Sequence, residues 1–172
     1  TVSFGDFFVT GYAFVPPTPF QLKDWEKYDV SMFTDPGSVS PESGYRTVEV
    51  SRHHKKYTTI SGDLEELANN SPPEKTIYLF HAPPYETTLD RGDLDGQKID
   101  HAPLDVHLGS IAIKRFIKER GPMITLHGHV HESSRLTGKW REKIGKTHSF
   151  SGAHDGRGAA VVCFEPEQPE KA

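Results

Sequence analysis

Apolar and polar positions alternate along this chain in short bursts rather than long stretches. Phe7 to Val15 is dense in aromatic and β-branched residues and predicts a strand, closed by Pro16-Pro17-Thr18-Pro19, where fixed φ angles and missing N–H donors end any ladder. Leu22 to Tyr28 reads as one or two helical turns. Asp35 to Gly44 is a loop by its Pro, Gly and Ser content, and Tyr45 to Val50 alternates as a strand does. Asp63, with Glu66 three residues on, has capping-box spacing and predicts a helix running to about Asn69.

The second half is more regular. Thr76 to Phe80 is an apolar run of buried-strand length with His81 at its carboxyl end. Tyr85 to His107 is polar and rich in Gly and Asp, long for a structureless connection, and so a candidate for function. Ser110 caps a helix whose Ile113, Phe116 and Ile117 share one face, with Gly121-Pro122 as its stop. Met123 to Leu126 is a second short strand that runs into His127-Gly128-His129-Val130-His131-Glu132. Strand, crossover helix and strand predict a parallel βαβ unit, whose ligands lie beyond the strands' carboxyl ends. Both histidine groups fall there. A hairpin around Trp140 to Gly145 and a last strand, Ala159 to Phe164, lead to a polar tail at 166–172.

Composition narrows the function classes. The length of 172 residues suits one domain, and an apolar share of 34% predicts a lean core, or one with part of it missing. A net charge of −4 gives no basic footprint for a phosphate backbone, and no apolar run reaches membrane-spanning length, so neither nucleic acid nor a membrane is expected as partner. The single cysteine, Cys163, forms no internal disulfide, reads as an inert buried thiol, and fits a reducing cytoplasm. Because the first residue is Thr1 and no signal-type segment follows, the chain is expected to begin in mid-protein.

Histidine is the outlier, ten in all, with three inside five residues. His129 and His131 are two apart after Gly128, so in an extended segment both rings project to one side, and Gly128 lets the backbone approach a ligand. His81 brings a third imidazole from the neighbouring strand tip. Neutral imidazole suits Mn, Fe, Zn, Ni or Co. His127 is an alternative ligand, in a three-histidine zinc site with His129 and His131. His107 reads either as a residue near substrate, behind the metal ligands, or as a helix-entry hydrogen-bonding residue. His53-His54 beside Lys55-Lys56, and His101, His148 and His154, read as solvated surface.

Three segments, Leu79-Phe80-His81-Ala82-Pro83-Pro84, His107-Leu108-Gly109-Ser110 and Leu126 to Ser133, resemble the later motifs of the calcineurin-like metallophosphoesterase superfamily. Gly11 to Phe20 and Leu22-Lys23-Asp24-Trp25-Glu26 look like a small prokaryotic branch of it. The resemblance implies one sheet, mixed and flanked by helices, of a four-layer α-β-β-α sandwich, with residues 1–165 as the C-terminal portion of the domain. It implies hydrolysis of a phosphomonoester or phosphodiester by metal-activated hydroxide at a dinuclear centre. By the match, His81 and His129 resemble ligands of one metal and His131 of the other.

The family's earlier motifs, Asp-x-His, Gly-Asp-x-x-Asp and Gly-Asn-His, are absent. Gly62-Asp63 is followed three residues on by Glu66 rather than Asp. No catalytic residue is therefore assigned to this chain, and the expected partners are a phosphate-ester small molecule and either a second copy or the missing N-terminal half. The competing reading is a non-catalytic metal- or ligand-binding module that keeps the remnant of the fold.

Overall fold

The computed structural model describes all 172 residues. Its centre is a six-stranded mixed sheet built from β1 (Val2–Phe4), β2 (Phe7–Tyr12), β3 (Thr76–Phe80), β6 (Ile124–His127), β7 (Arg141–Ile144) and β8 (Thr147–Ser151). Spatial order is β1-β2-β3-β6-β8-β7, with the inner four strands parallel and the edge strands β1 and β7 antiparallel to their neighbours. A separate two-stranded ribbon, β4 (Lys98–Ile99) and β5 (Ala102–Pro103), turns at Asp100 and His101, both with positive φ. Positive φ at both corner residues is the condition for a tight turn whose twist matches the strands.

The helices are α1 (Arg52–Tyr57), α2 (Ile60–Leu67), α3 (Ile111–Arg120) and α4 (Ser133–Thr137). None is long and apolar enough to cross a membrane. α3 follows its sequence closely: the Ser110 hydroxyl accepts from the N–H of Ile113, Gly121 ends it at φ 55°, and Ala112, Ile113, Phe116 and Ile117 are buried. A left-handed terminal residue is cheapest as glycine, which lacks the Cβ that clashes there. α3 crosses from β3 to β6, completing the parallel βαβ unit.

Strand parity divides the core. On one face Tyr12, Tyr78 and Phe80 pack against α2 and α3 through Ile60, Leu64, Ile113, Phe116 and Ile117. Tyr78 and Phe80 each meet the Phe116 ring edge-on, at centroid distances of 5.0 and 5.9 Å. The opposite face carries Ile77, Ile124 and Phe150, covered only by Val162, Phe164 and Ala172 of the C-terminal segment and by a few partly buried neighbours. Leu79, on this second face, remains 43% exposed.

Four elements differ from the sequence expectation. Leu22 to Tyr28 is not helical: the N–H of Lys23 donates to Tyr45, that of Lys27 to Val15, and that of Val15 to Trp25, so tertiary backbone bonds replace the i to i−4 ladder. Lys23 itself is fully buried, its ammonium 2.6 Å from Glu26. Tyr45 to Val50 forms only an isolated bridge to Leu22 rather than a strand. The helix near Asp63 starts earlier, capped by Thr59, whose hydroxyl accepts from Gly62, because the Asp63 carboxylate is committed to the Tyr12 hydroxyl and the Lys27 ammonium. Ala159 to Phe164 is not a strand, and Cys163 is exposed rather than buried.

Candidate functional site

Four parallel strands end at the same edge of the sheet, and short backbone bonds stitch their tips together. His81 donates from its N–H to Tyr12, Gly128 to His81 and Gly152 to His127, at 3.0 to 3.1 Å. This ladder continues past the last regular residues and fixes where the histidines emerge. His81 and His129 meet there, with ring centroids 5.1 Å apart and planes at 63°.

The backbone at His129 is not extended. Its φ is 72°, and the Val130 N–H closes back on the Gly128 carbonyl at 2.9 Å. That is a three-residue turn of the uncommon, strained hand, at a position where a non-glycine residue is rare. The expected alternation of the rings is corrected accordingly: the turn throws His129 toward His81 and leaves His131 exposed. A site that holds a residue in such a conformation has surroundings that over-determine it.

Electrostatics keep the paired rings neutral. Burial, then the neighbouring His81 and His131, push His129 down to about 4. Burial and the charge of His131 lower His81 as well. An imidazole that resists protonation is one whose nitrogen lone pair stays available.

His127 belongs to the core instead. Its Nδ1 bonds the Ala82 carbonyl at 2.9 Å, its Nε2 the Thr125 hydroxyl at 2.8 Å, and its ring stacks on Phe80. With both nitrogens committed, it has no lone pair for a metal, and the alternative three-histidine set of 127, 129 and 131 does not form.

Beside the histidines lies a cavity of about 490 Å³ whose wall includes His107, His129, His131 and Glu132. Its apolar side comes from Phe20, Phe33, Ile99 and Leu104. Carboxylates reach it from Asp35, Asp105 and Glu132, and no Lys or Arg lines it. The amino end of α3, an anion site in many folds, is already filled by Asp29, which takes the N–H groups of Ile111 and Ala112 and the Ser110 hydroxyl.

Donor chemistry at the strand tips suits a divalent cation. Two imidazoles sharing one tetrahedral cation at metal–nitrogen distances of roughly 2.1 Å have ring centroids roughly 5 Å apart, and His81 and His129 stand at 5.1 Å. No group of three or more His, Cys, Asp or Glu side chains is gathered in a form that holds a metal ion. The fit therefore rests on a pair, with His131 close enough for its charge to register at both rings.

Sequence reasoning missed two residues that shape the site. Asp90 is fully buried and binds His107 Nδ1 at 2.9 Å, and its partners are scattered over Glu86 to Gly109. A Thr three positions before an Asp was its only local signal. Asp29 had none, since its partners lie more than 80 positions away. His53 lies on α1, while His101 forms the ribbon corner and His154 caps its own turn through Gly156.

No protein-family model matches the chain. An uncharacterized protein of Methanocaldococcus jannaschii is 38% identical over 76 residues, a match that takes in 42% of this chain and 29% of the relative's length. A solved crystal structure overlays with a TM-score of 0.38 at 19% identity, covering 63% of this chain and 38% of that one. That likeness is too slight to carry an argument.

Proposed function

We propose that this chain is the C-terminal portion of a metal-dependent phosphoesterase of the calcineurin-like kind, acting on a phosphomonoester or phosphodiester. The observation that carries the reading is the pair His81 and His129, held neutral at adjacent parallel strand ends and spaced as co-ligands of one cation. His131 is the ligand proposed for a second cation. The metal is one that imidazole favours, namely Mn, Fe, Zn, Ni or Co.

The cavity wall carries carboxylates and no fixed cation, so on this reading the positive charge that holds a phosphate ester there comes from metal at the histidines. When bound, divalent cations neutralise the phosphoryl oxygens and lower the pKa of water to where it attacks phosphorus. This chain's residues do the rest: His81 and His129 hold, the apolar wall at Phe20, Phe33 and Ile99 receives the ester's organic part, and Glu132 closes one side. The thinly covered face carrying Leu79 is the surface on which the second sheet of a four-layer sandwich would lie.

The test is direct. Purified chain supplied with Mn²⁺ is expected to cleave bis(4-nitrophenyl) phosphate weakly or not at all until the missing N-terminal half is added, and His129→Ala is expected to reduce the restored cleavage to background. Metal binding without turnover even then would instead favour the non-catalytic module, to which the lack of a carboxylate between the paired imidazoles also points.

A further inference from the structure

The geometry points to an ester whose alcohol part carries a permanent positive charge, a quaternary-ammonium alcohol of the choline type, seated in the cavity against the Asp35 and Asp105 carboxylates and the rings of Phe20 and Phe33. For the phosphate end of that ligand the inference rests on the phosphoesterase reading above; the cation end stands on this chain's own wall. That wall combines carboxylates from Asp35, Asp105 and Glu132 with the rings of Phe20, Phe33 and Tyr85, and no Lys or Arg enters it.

Local sequence builds the acidic corner. Asp35-Pro36-Gly37-Ser38 closes a four-residue turn, with the Ser38 N–H on the Asp35 carbonyl at 3.0 Å and Gly37 at φ 88°. Proline in second place and a positive φ in third define a type II turn, with the Asp at its first position. The neighbouring ribbon requires Gly37 as well: a Cβ there would lie 2.5 Å from Ile99 Cδ1. Next in the chain, the Val39 N–H donates to the Thr18 carbonyl at 2.9 Å, which ties the turn to the Pro-rich segment that leads into Phe20. The carboxylate and the aromatic ring thus arrive on two backbones bonded to each other.

Donors secure the charge of the second carboxylate. Asp105 Oδ2 accepts the Tyr85 hydroxyl at 2.6 Å, and Oδ1 accepts the His107 N–H at 2.8 Å. Asp35 has no such support: partial burial, then the charge of Asp105, raises its pKa, with no hydrogen bond pulling it back. The two carboxylates therefore repel across a space to which the wall brings no basic side chain. A positive charge placed there is attracted by both.

The rings select the kind of cation. Phe20 and Phe33 are 73% and 69% exposed although both line the cavity, so their surface is open to a ligand. A small metal ion holds its water and gains little from a ring face, whereas a quaternary ammonium is weakly hydrated and is drawn to the ring quadrupole. A neutral sugar or nucleoside would use the rings and leave the carboxylate repulsion uncompensated. The cavity, about 490 Å³, is of the size that takes a small organic ligand whole.

The experiment titrates the metal-free chain with choline and with its neutral carbon isostere, 3,3-dimethylbutan-1-ol, followed by amide shifts in ¹⁵N spectra. Choline is expected to bind about tenfold more tightly than the isostere. Asp35→Asn, which keeps a turn-forming residue at the first position, is expected to erase that preference. Phe33→Leu, which keeps the apolar bulk and removes the ring, is expected to reduce it. Equal affinity for the two ligands, no binding of either, a preference untouched by Asp35→Asn, or tighter binding of adenosine or methyl glucoside than of choline would overturn the inference. Mn²⁺ separates this outcome from that of the phosphoesterase reading. With the ion present, phosphocholine is expected to bind more tightly than choline, by a margin lost in His129→Ala. A choline preference without that margin leaves the cation site standing and sinks the phosphoesterase reading; the margin without a choline preference does the reverse.

Discussion

The Ser110 hydroxyl donates to Asp29 Oδ1 at 2.5 Å across 81 positions of sequence, and the Ile111 N–H donates to the same carboxylate at 2.7 Å. One side chain thus ties the N-terminal segment to the amino end of α3. Burial raises the Asp29 pKa, against the opposing pull of these hydrogen bonds.

Replacing this cap should weaken the whole domain. Asp29→Ala leaves the first amides of α3 without their acceptor, at a cost of about 1 to 2 kcal/mol. Asp29→Asn keeps an acceptor and loses less. Urea unfolding followed by circular dichroism should order the three proteins as wild type, Asn, Ala; equal midpoints for wild type and Ala would remove the cap's role.

The pH dependence of stability follows from His127. Burial holds its pKa at about 4 in the folded state, below the ordinary value of about 6.5. The unfolded chain therefore binds the extra proton first, so stability is full above about pH 6.5 and falls as pH drops toward 4, by about 3 kcal/mol for this residue. His81, His129, His54 and His148 are lowered too and act with the same sign. Urea midpoints at pH 7.5, 5.5 and 4.5 should decline in that order, and a flat profile would contradict the buried, neutral ring.

Much of this was legible locally, and the failures share a cause. The α3 cap, its buried face and its glycine stop are encoded within a dozen residues, and the strands at 76–80 and 124–127 declare themselves as short apolar runs bounded by turn residues. Leu22 to Tyr28 misled because its backbone donors are claimed by Val15 and Tyr45, partners no local pattern reveals. The histidines were placed at the strand tips by sequence, but the left-handed turn at His129 was not, since nothing about a histidine asks for positive φ. The C-terminal run 159–164 has a strand's composition yet pairs with no neighbour and instead lays Phe164 flat on Phe150, with ring centroids 5.6 Å apart.

The sheet face opposite α2 and α3 should make this chain associate. Val2 is 65% and Leu79 43% exposed there, and an uncovered apolar patch draws a partner out of solution. Sedimentation of the purified chain should give a mass above that of a monomer, reduced toward it by Leu79→Ser. A monodisperse monomer at all concentrations would argue against a missing second sheet.

The central claim is that His81 and His129 grip a cation together. Calorimetric titration of the metal-free chain with Mn²⁺ or Zn²⁺ measures this most directly. At least one ion per chain is predicted, with affinity falling by about 100-fold or more in His129→Ala and unchanged in His101→Ala. Absence of binding, or binding indifferent to His129, would contradict the account.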